Sequence, residues 1–456
     1  MDSRLLQVAS AVVVCASLVV PQTRPPHRTA SATPLIYTTT PAYEAMAWIQ
    51  GGERFPKGAA VFVRTGMAAK PLLAEFFATA DPNVSFDAKT VLLSGKQRST
   101  DHWQIWEVTL PAGPVHQVTY CDDDCVKPLH VPADRFVYAR KVGGNFTLEI
   151  AQLNEPEAQV QLTHAPGNFL PRDVLQDGRI LFETGYPIEN STSAELYTVY
   201  TDGSGVESYR CDHGHSRHSG TQVSSGDVVF VRDGKLFRFT SALAHEVAIS
   251  APAGVYAGDV AETQSGTWLV SSRTANSKYF ELHTWTHGTA ALLPFVSATG
   301  KHIFQPRLLT TRTVPNRHPS ALHDWSYANV LCLSAYTSKD PLPEGSVASV
   351  RVYTRDTRGG TQVQGTAQVE KDGSFYLRVP GDQPLKIELL DREGKTVKVE
   401  AGWFWLRRGE QRICTGCHAG PERAPENVVP AVLLRSTEAT DLKKTQKTQA
   451  DSSGGH

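Results

Sequence analysis

Short runs rich in Val, Ile, Leu, Phe, Tyr and Thr recur along the chain, separated by turns of Gly, Pro, Asn, Asp and Ser. Long stretches with helical periodicity are scarce, so the pattern predicts a mainly β protein. Two kinds of run alternate. The first follows a polar turn and is apolar enough to be buried: 90–94, 135–139, 179–182, 227–231 and 267–271. The second comes after a polar gap: 104–108, 147–150, 195–199, 235–239 and 281–285. Measured at Val91, Phe136, Ile180, Val228 and Trp268, the repeat is 45, 44, 48 and 40 residues long. That period, built from short strands, predicts propeller blades. Five blades are visible. A sixth is expected from residues 301–313 pairing with a strand around 59–64, which would hide both end edges. The alternative is two packed β-sandwiches.

Later strands near 346–353, 362–369, 374–379, 385–390 and 396–401 predict a small β-sandwich-like domain, with Lys371-Asp372-Gly373 as a hairpin turn. The expected boundaries are a propeller over 55–325, the sandwich-like domain over 326–410, a short cofactor-attachment segment over 411–435 and a disordered polar tail over 440–456. Residues 5–20 form an apolar stretch behind Arg4 that reads as a secretory signal within residues 1–32, or as a retained N-terminal anchor. Localisation is therefore expected to be periplasmic or otherwise extracytoplasmic. Membrane contact is expected only through that segment.

Composition narrows the class. The 45 Lys+Arg against 46 Asp+Glu argue against a nucleic-acid binder. Seven Cys are too few for a disulfide scaffold.

Two of those cysteines carry the chemistry. Cys414-Thr415-Gly416-Cys417-His418 has the attachment pattern of a c-type haem. In one helical turn the two thiols share a face, each able to form a thioether with a haem vinyl, and His418 follows as iron ligand. A zinc site would need two more ligands at matching spacing, and none follows. A thioredoxin-like pair would open a helix in a βαβ unit. A plain disulfide would leave His418 without a reason. Only 38 residues follow His418, with no Met and only His456, so a sixth iron ligand would come from upstream, from a partner, or not at all. Met46 and Met67 are upstream candidates better read as structural. Trp403, Phe404 and Trp405 could wall the haem or simply fill a core.

A second cluster lies in equivalent inter-blade loops. Cys121 and Cys125, His164, and Cys211, His213, His215 and His218 precede successive strand anchors, with Asp122, Asp123, Asp124 and Asp212 beside them. Such loops converge on one propeller face. Cys121, Cys125, Cys211, His213, His215 and His218 are thus a candidate second metal site. The plainer reading is polar turns with a local Cys121–Cys125 disulfide.

The third repeat, Asp177-Gly178-Arg179-Ile180-Leu181-Phe182 with Asp202-Gly203-Ser204-Gly205, resembles that of TolB-type propellers. Val369-Glu370-Lys371-Asp372-Gly373-Ser374-Phe375, Leu389-Leu390-Asp391, Trp405-Leu406-Arg407-Arg408-Gly409-Glu410 and the Cys414 motif together resemble proteins related to the hydrazine synthase alpha subunit. The likeness spans roughly residues 55–435. It is specific over 369–425 and weak in the blades. It implies a haem c, held by Cys414, Cys417 and His418 beside a propeller in an extracytoplasmic redox protein; the single motif predicts one covalent haem, and a redox partner or cytochrome subunit is expected. Two departures argue against hydrazine synthesis itself. The family's tyrosine ligand shortly after the motif is missing, since no Tyr follows Tyr376, and its second haem motif is absent. The alternatives are an electron-transfer cytochrome module, or a non-redox propeller binding protein, glycan or metal.

Overall fold

The computed structural model describes residues 34–111, 113–185, 193–210, 214–263, 266–338, 340–355, 359–400, 402–416 and 427–442. The proposed signal segment, Cys211, His213, Cys417, His418 and the tail beyond residue 442 lie outside them.

Both runs of the sequence repeat are central strands of four-stranded antiparallel sheets. In the fourth blade, Ile180–Thr184 and Glu195–Val199 pair side by side, with Phe169–Val174 inside and Glu207–Ser208 outside. Six such sheets form the propeller. The ring closes as the periodicity predicts, but through a different strand. His302–Leu308 pairs with Leu35–Thr40, which in turn pairs with Ala60–Thr65. The propeller therefore begins well before residue 55. Closure leaves each blade face packed on its neighbour, which is where the main apolar clusters sit.

The six innermost strands share a distortion. Each slips register near its middle, which throws one residue out of the ladder and toward the axis. Those residues are Asp81, Lys127, Arg172, Ser219, Asp259 and Gln305, all but Arg172 at positive φ. All six are buried. Asp81 accepts from Arg54 Nη2 at 2.5 Å, Gln305 Nε2 at 2.6 Å and Ser94 Oγ at 3.0 Å. Across the axis, Arg172 donates to Asp259 at 2.5 Å and pairs with Glu183 at 3.1 Å. Lys127 lies 4.0 Å from Asp259. The centre of the propeller is thus an ion network.

Both ends of the axis are covered. Residues 41–58, inserted in the first blade, lie at the starts of the inner strands, held by Asn168 donating to the Ile49 carbonyl at 2.9 Å and Trp103 donating to Glu53 at 2.7 Å. Residues 309–326 cross the other end, where Arg312 donates to the Val84 carbonyl at 2.7 Å and Asn316 to that of Gln176 at 3.1 Å.

The second domain is a sandwich of two four-stranded sheets. One orders Gln411–Cys414, Tyr327–Cys332, Phe375–Pro380 and Thr440–Asp441. The other orders Thr361–Gln368, Ser349–Arg355, Leu385–Leu390 and Thr396–Val399. Alternate residues of both face one core, including Val330, Val350, Leu377 and Leu389. Two expectations change here. Residues 411–414, expected as the start of a separate attachment segment, are an edge strand of the sandwich. Residues 440–442 are also part of the domain, with Leu442 buried in its core.

The sandwich docks at the seam between the third and fourth blades. Trp405 fills that seam, edge-on to Phe169 with centroids 5.8 Å apart. Trp403 is buried under Arg355 and Lys386, and Phe404 bridges to Leu385. Two of the three aromatics before the motif are thus committed to packing by complete burial.

Two outcomes test this framework. Trp405→Ala should cost about 3–5 kcal/mol in urea unfolding; a loss below about 1 kcal/mol would show that the seam closes without the indole. For Asp81, burial raises the carboxyl pKa, but Arg54 and then Lys127 outweigh it and bring it from 3.8 down to about 2. A depressed carboxylate stabilises the fold above its unfolded pKa and loses that contribution as pH falls through the folded value. Asp81→Asn should therefore destabilise by about 3–5 kcal/mol at neutral pH, as for a broken buried pair. The gap to wild type should narrow between pH 4 and pH 2, and a gap constant over that range would contradict the pairing.

Candidate functional site

The motif strand is short and polar, Gln411-Arg412-Ile413-Cys414, with no apolar run of its own. It is fixed from both sides. Toward the sandwich it pairs in parallel with Tyr327–Cys332, placing Cys414 directly beside Cys332. Toward the propeller, Arg412 donates to the Val206 carbonyl at 2.9 Å and pairs with Glu410 at 2.5 Å, while Glu410 accepts from Gly205 N–H. Burial alone would lower the Arg412 pKa, but the charges of Glu410 and Cys414 outweigh it and raise it.

Arg407 is the second clamp. It donates to the Asp202 carbonyl at 3.0 Å, to Asp382 at 2.6 Å and to His164 Nε2 at 3.2 Å. Because Arg407 can only donate, His164 Nε2 must accept, which requires a neutral ring. Burial favours the same state; it pushes the His164 pKa down despite Asp382. His164 therefore belongs to the domain interface.

Beyond Cys414 the chain turns tightly. A Cβ on Gly416 would lie 1.9 Å from the Thr337 carbonyl oxygen and 2.9 Å from that of Ser334. The segment after the motif returns to the same place. Ala431 N–H donates to Asp372 at 2.7 Å, Val432 N–H to Ser374 Oγ at 3.0 Å, and Ser334 Oγ to the Asp372 carbonyl at 2.8 Å. At this end of the sandwich Ile413, Val428, Val429 and Leu434 are 62–75% exposed. They are four large aliphatic side chains in water on the segments that flank the motif. Of the three haem-binding candidates, Cys414 is the described one, half-buried against the sandwich core.

Among the described residues the candidate second metal site is not assembled; Cys211 and His213 lie outside them. Cys121 and Cys125 are joined by a disulfide, which consumes both sulfur donors. His215 is exposed. His218 begins an inner strand with Nδ1 3.1 Å from Ser219 Oγ. Among the described residues, one group of ligand-type side chains does converge: His102, Asp123 and Asp124, with donor atoms within 4.8 Å of one another. Asp123 and Asp124 lie in the loop that the disulfide closes. His102 arrives from a neighbouring loop of the second blade, and its position in the sequence carries no signal of this meeting. Met46 packs against the propeller core and Met67 is exposed on a turn.

Residues 337–419 match the family described as hydrazine synthase alpha subunit middle domain. The hydrazine synthase subunit alpha of Kuenenia stuttgartiensis is 39% identical over 59 residues, which is 13% of this chain and 7% of that protein. The solved structure of Kuenenia stuttgartiensis hydrazine synthase superposes with a TM-score of 0.77 at 16% identity, covering 89% of this chain and 72% of that one. TolB from Acinetobacter baumannii superposes with a TM-score of 0.45 at 13% identity, over 61% of this chain and 67% of that one. With the middle domain matched in sequence and the propeller-plus-sandwich fold shared, the chain is a protein related to the hydrazine synthase alpha subunit.

Proposed function

We propose that this chain is an exported protein carrying one covalent haem c, acting as a redox protein or as a subunit of a redox enzyme. The observation that carries the reading is Cys414-Thr415-Gly416-Cys417-His418, which starts on a strand clamped between two domains and is flanked by exposed aliphatic side chains. Cys414 and Cys417 would hold the group by thioethers, with His418 on the iron. When bound, the haem would supply one-electron exchange. The chain's own residues supply the rest. Arg412 and Glu410 fix the strand, Gly416 permits the turn, and Ile413, Val428, Val429 and Leu434 keep water from the apolar edge of the group.

The relative's name makes it one subunit of an enzyme, and we extend that arrangement to a partner subunit for this chain. Hydrazine synthesis is named for the relative and is not part of the proposal for this chain. Export fits both the apolar segment at 5–20 and the Cys121–Cys125 disulfide, a bond that persists in oxidising compartments.

Expression with its leader in a host that matures c-type cytochromes should give a protein with a sharp reduced α-band that survives denaturation and vanishes in Cys414→Ala/Cys417→Ala. A folded, exported protein with no such band would overturn the proposal. High-spin absorption that shifts with small ligands would indicate an open iron position, and low-spin absorption an electron carrier.

Gly416→Ala tests the turn. The added methyl must displace backbone, so stability should fall by about 1–3 kcal/mol, and the ratio of haem to protein should drop with it. An unchanged melting midpoint and haem ratio would show that Gly416 is not required there.

A further inference from the structure

Cys332 has no part in the attachment motif and lies 82 residues before Cys414. The fold nevertheless makes them neighbours. Cys332 ends the strand Tyr327–Cys332 and stands opposite Cys414 in parallel register, and Leu333 N–H donates to the Cys414 carbonyl at 2.9 Å. Cys332 is part of the sandwich core and Cys414 packs against that same core, so both side chains lie on one side of the sheet. Adjacent strands run about 4.8 Å apart, within the range of roughly 4.4–6.8 Å between Cα atoms that a disulfide spans.

We propose that Cys332 and Cys414 form a reversible disulfide in the haem-free protein, making the site a redox switch. The step balances simply. One sulfur–sulfur bond forms, and two thiol protons and two electrons pass to an external disulfide, which leaves as two thiols. Exchange with a thiol reductant reverses it. Directly paired parallel neighbours point the same way rather than toward each other, so the bond is off its preferred geometry and correspondingly easy to reduce. A sulfur held in that bond cannot add to a vinyl group. The consequence for haem rests on the proposed function: reduction at Cys332–Cys414 precedes attachment, and the disulfide protects Cys414 until then. The disulfide itself stands independently of haem.

The test uses the full chain exported without haem-maturation machinery, denatured in an alkylating reagent and digested without reduction. Mass spectrometry should find the Cys332 peptide cross-linked to the Cys414 peptide. That species should vanish in Cys332→Ala and persist in Cys417→Ala, where the rival partner is gone. Melting curves of each variant confirm that it folds. Cys414 cross-linked to Cys417 with Cys332 alkylated would overturn the proposal, as would alkylation of all three. The two proposals fail separately. A cross-link in a chain that never acquires haem removes the proposed function and leaves the switch, whereas covalent haem with no cross-link in the haem-free protein does the reverse.

Discussion

Charge buried on the axis of the propeller is the constraint from which the rest follows. Moving an ion out of water costs several kcal/mol unless a partner meets it in good geometry. In this ring the partners come from different blades. Asp81, in the second blade, is satisfied by Arg54 from the first-blade insertion and by Gln305 from the closing strand. Arg172, in the fourth blade, meets Asp259 in the sixth. A ring missing one blade would leave several charges uncompensated, so the electrostatics favour complete closure over partial closure. Gln305 also accepts from Thr38 at 2.7 Å and from the backbone N–H of Asp81 at 3.0 Å. The closing strand is thus secured by side chains at the axis as well as by its ladder.

A closed, sealed ring makes a rigid support, and the sandwich takes its position from it. Trp405 supplies apolar area in the seam, while Arg407 and Arg412 bond to the backbone carbonyls of Asp202 and Val206, neighbouring turn positions of the fourth blade. The division of labour is physical. The indole gives non-directional attraction, and the two guanidinium groups set orientation through directional bonds. The motif strand begins four residues after Arg407, so its geometry is transmitted over a very short span of chain.

What the chain discloses in advance follows from which interactions are local. Blade periodicity is a local property, and the strands at 90–96 and 180–184 stand where alternation and turn residues put them. The first strand, Leu35–Thr40, escapes because an insertion of about half a blade separates it from Ala60–Thr65 and breaks the spacing. The bulges had a readable trace, since Pro82, Pro128 and Pro306 each follow the residue turned to the axis, and proline inside a strand marks a bulge. The strand Gln411–Cys414 has no trace. It is an edge strand with alternating polar residues, made a strand by its neighbour. The thiol and imidazole spacing of the motif is legible because the chemistry acts within five residues. In the inter-blade loops the plainer reading of a local Cys121–Cys125 disulfide holds, because convergence on a face does not by itself bring ligands within bonding distance. The disulfide used two of the expected donors, while His102 came from a loop with no motif at all.

The comparison with hydrazine synthase separates two kinds of likeness. A shared fold at 16% identity needs only pattern and volume to be kept, since cores accept many substitutions that preserve both. The match over residues 337–419 is different in kind. It includes the strand, the tight turn at Gly416 and the Cys414–His418 motif, whose spacing and residue types thioether bonds would fix on the proposed reading. On the proposed reading, this chain keeps the means of holding a haem and leaves the far side of the iron to an upstream residue, a partner or solvent. What the iron does would then be decided by whatever occupies that side.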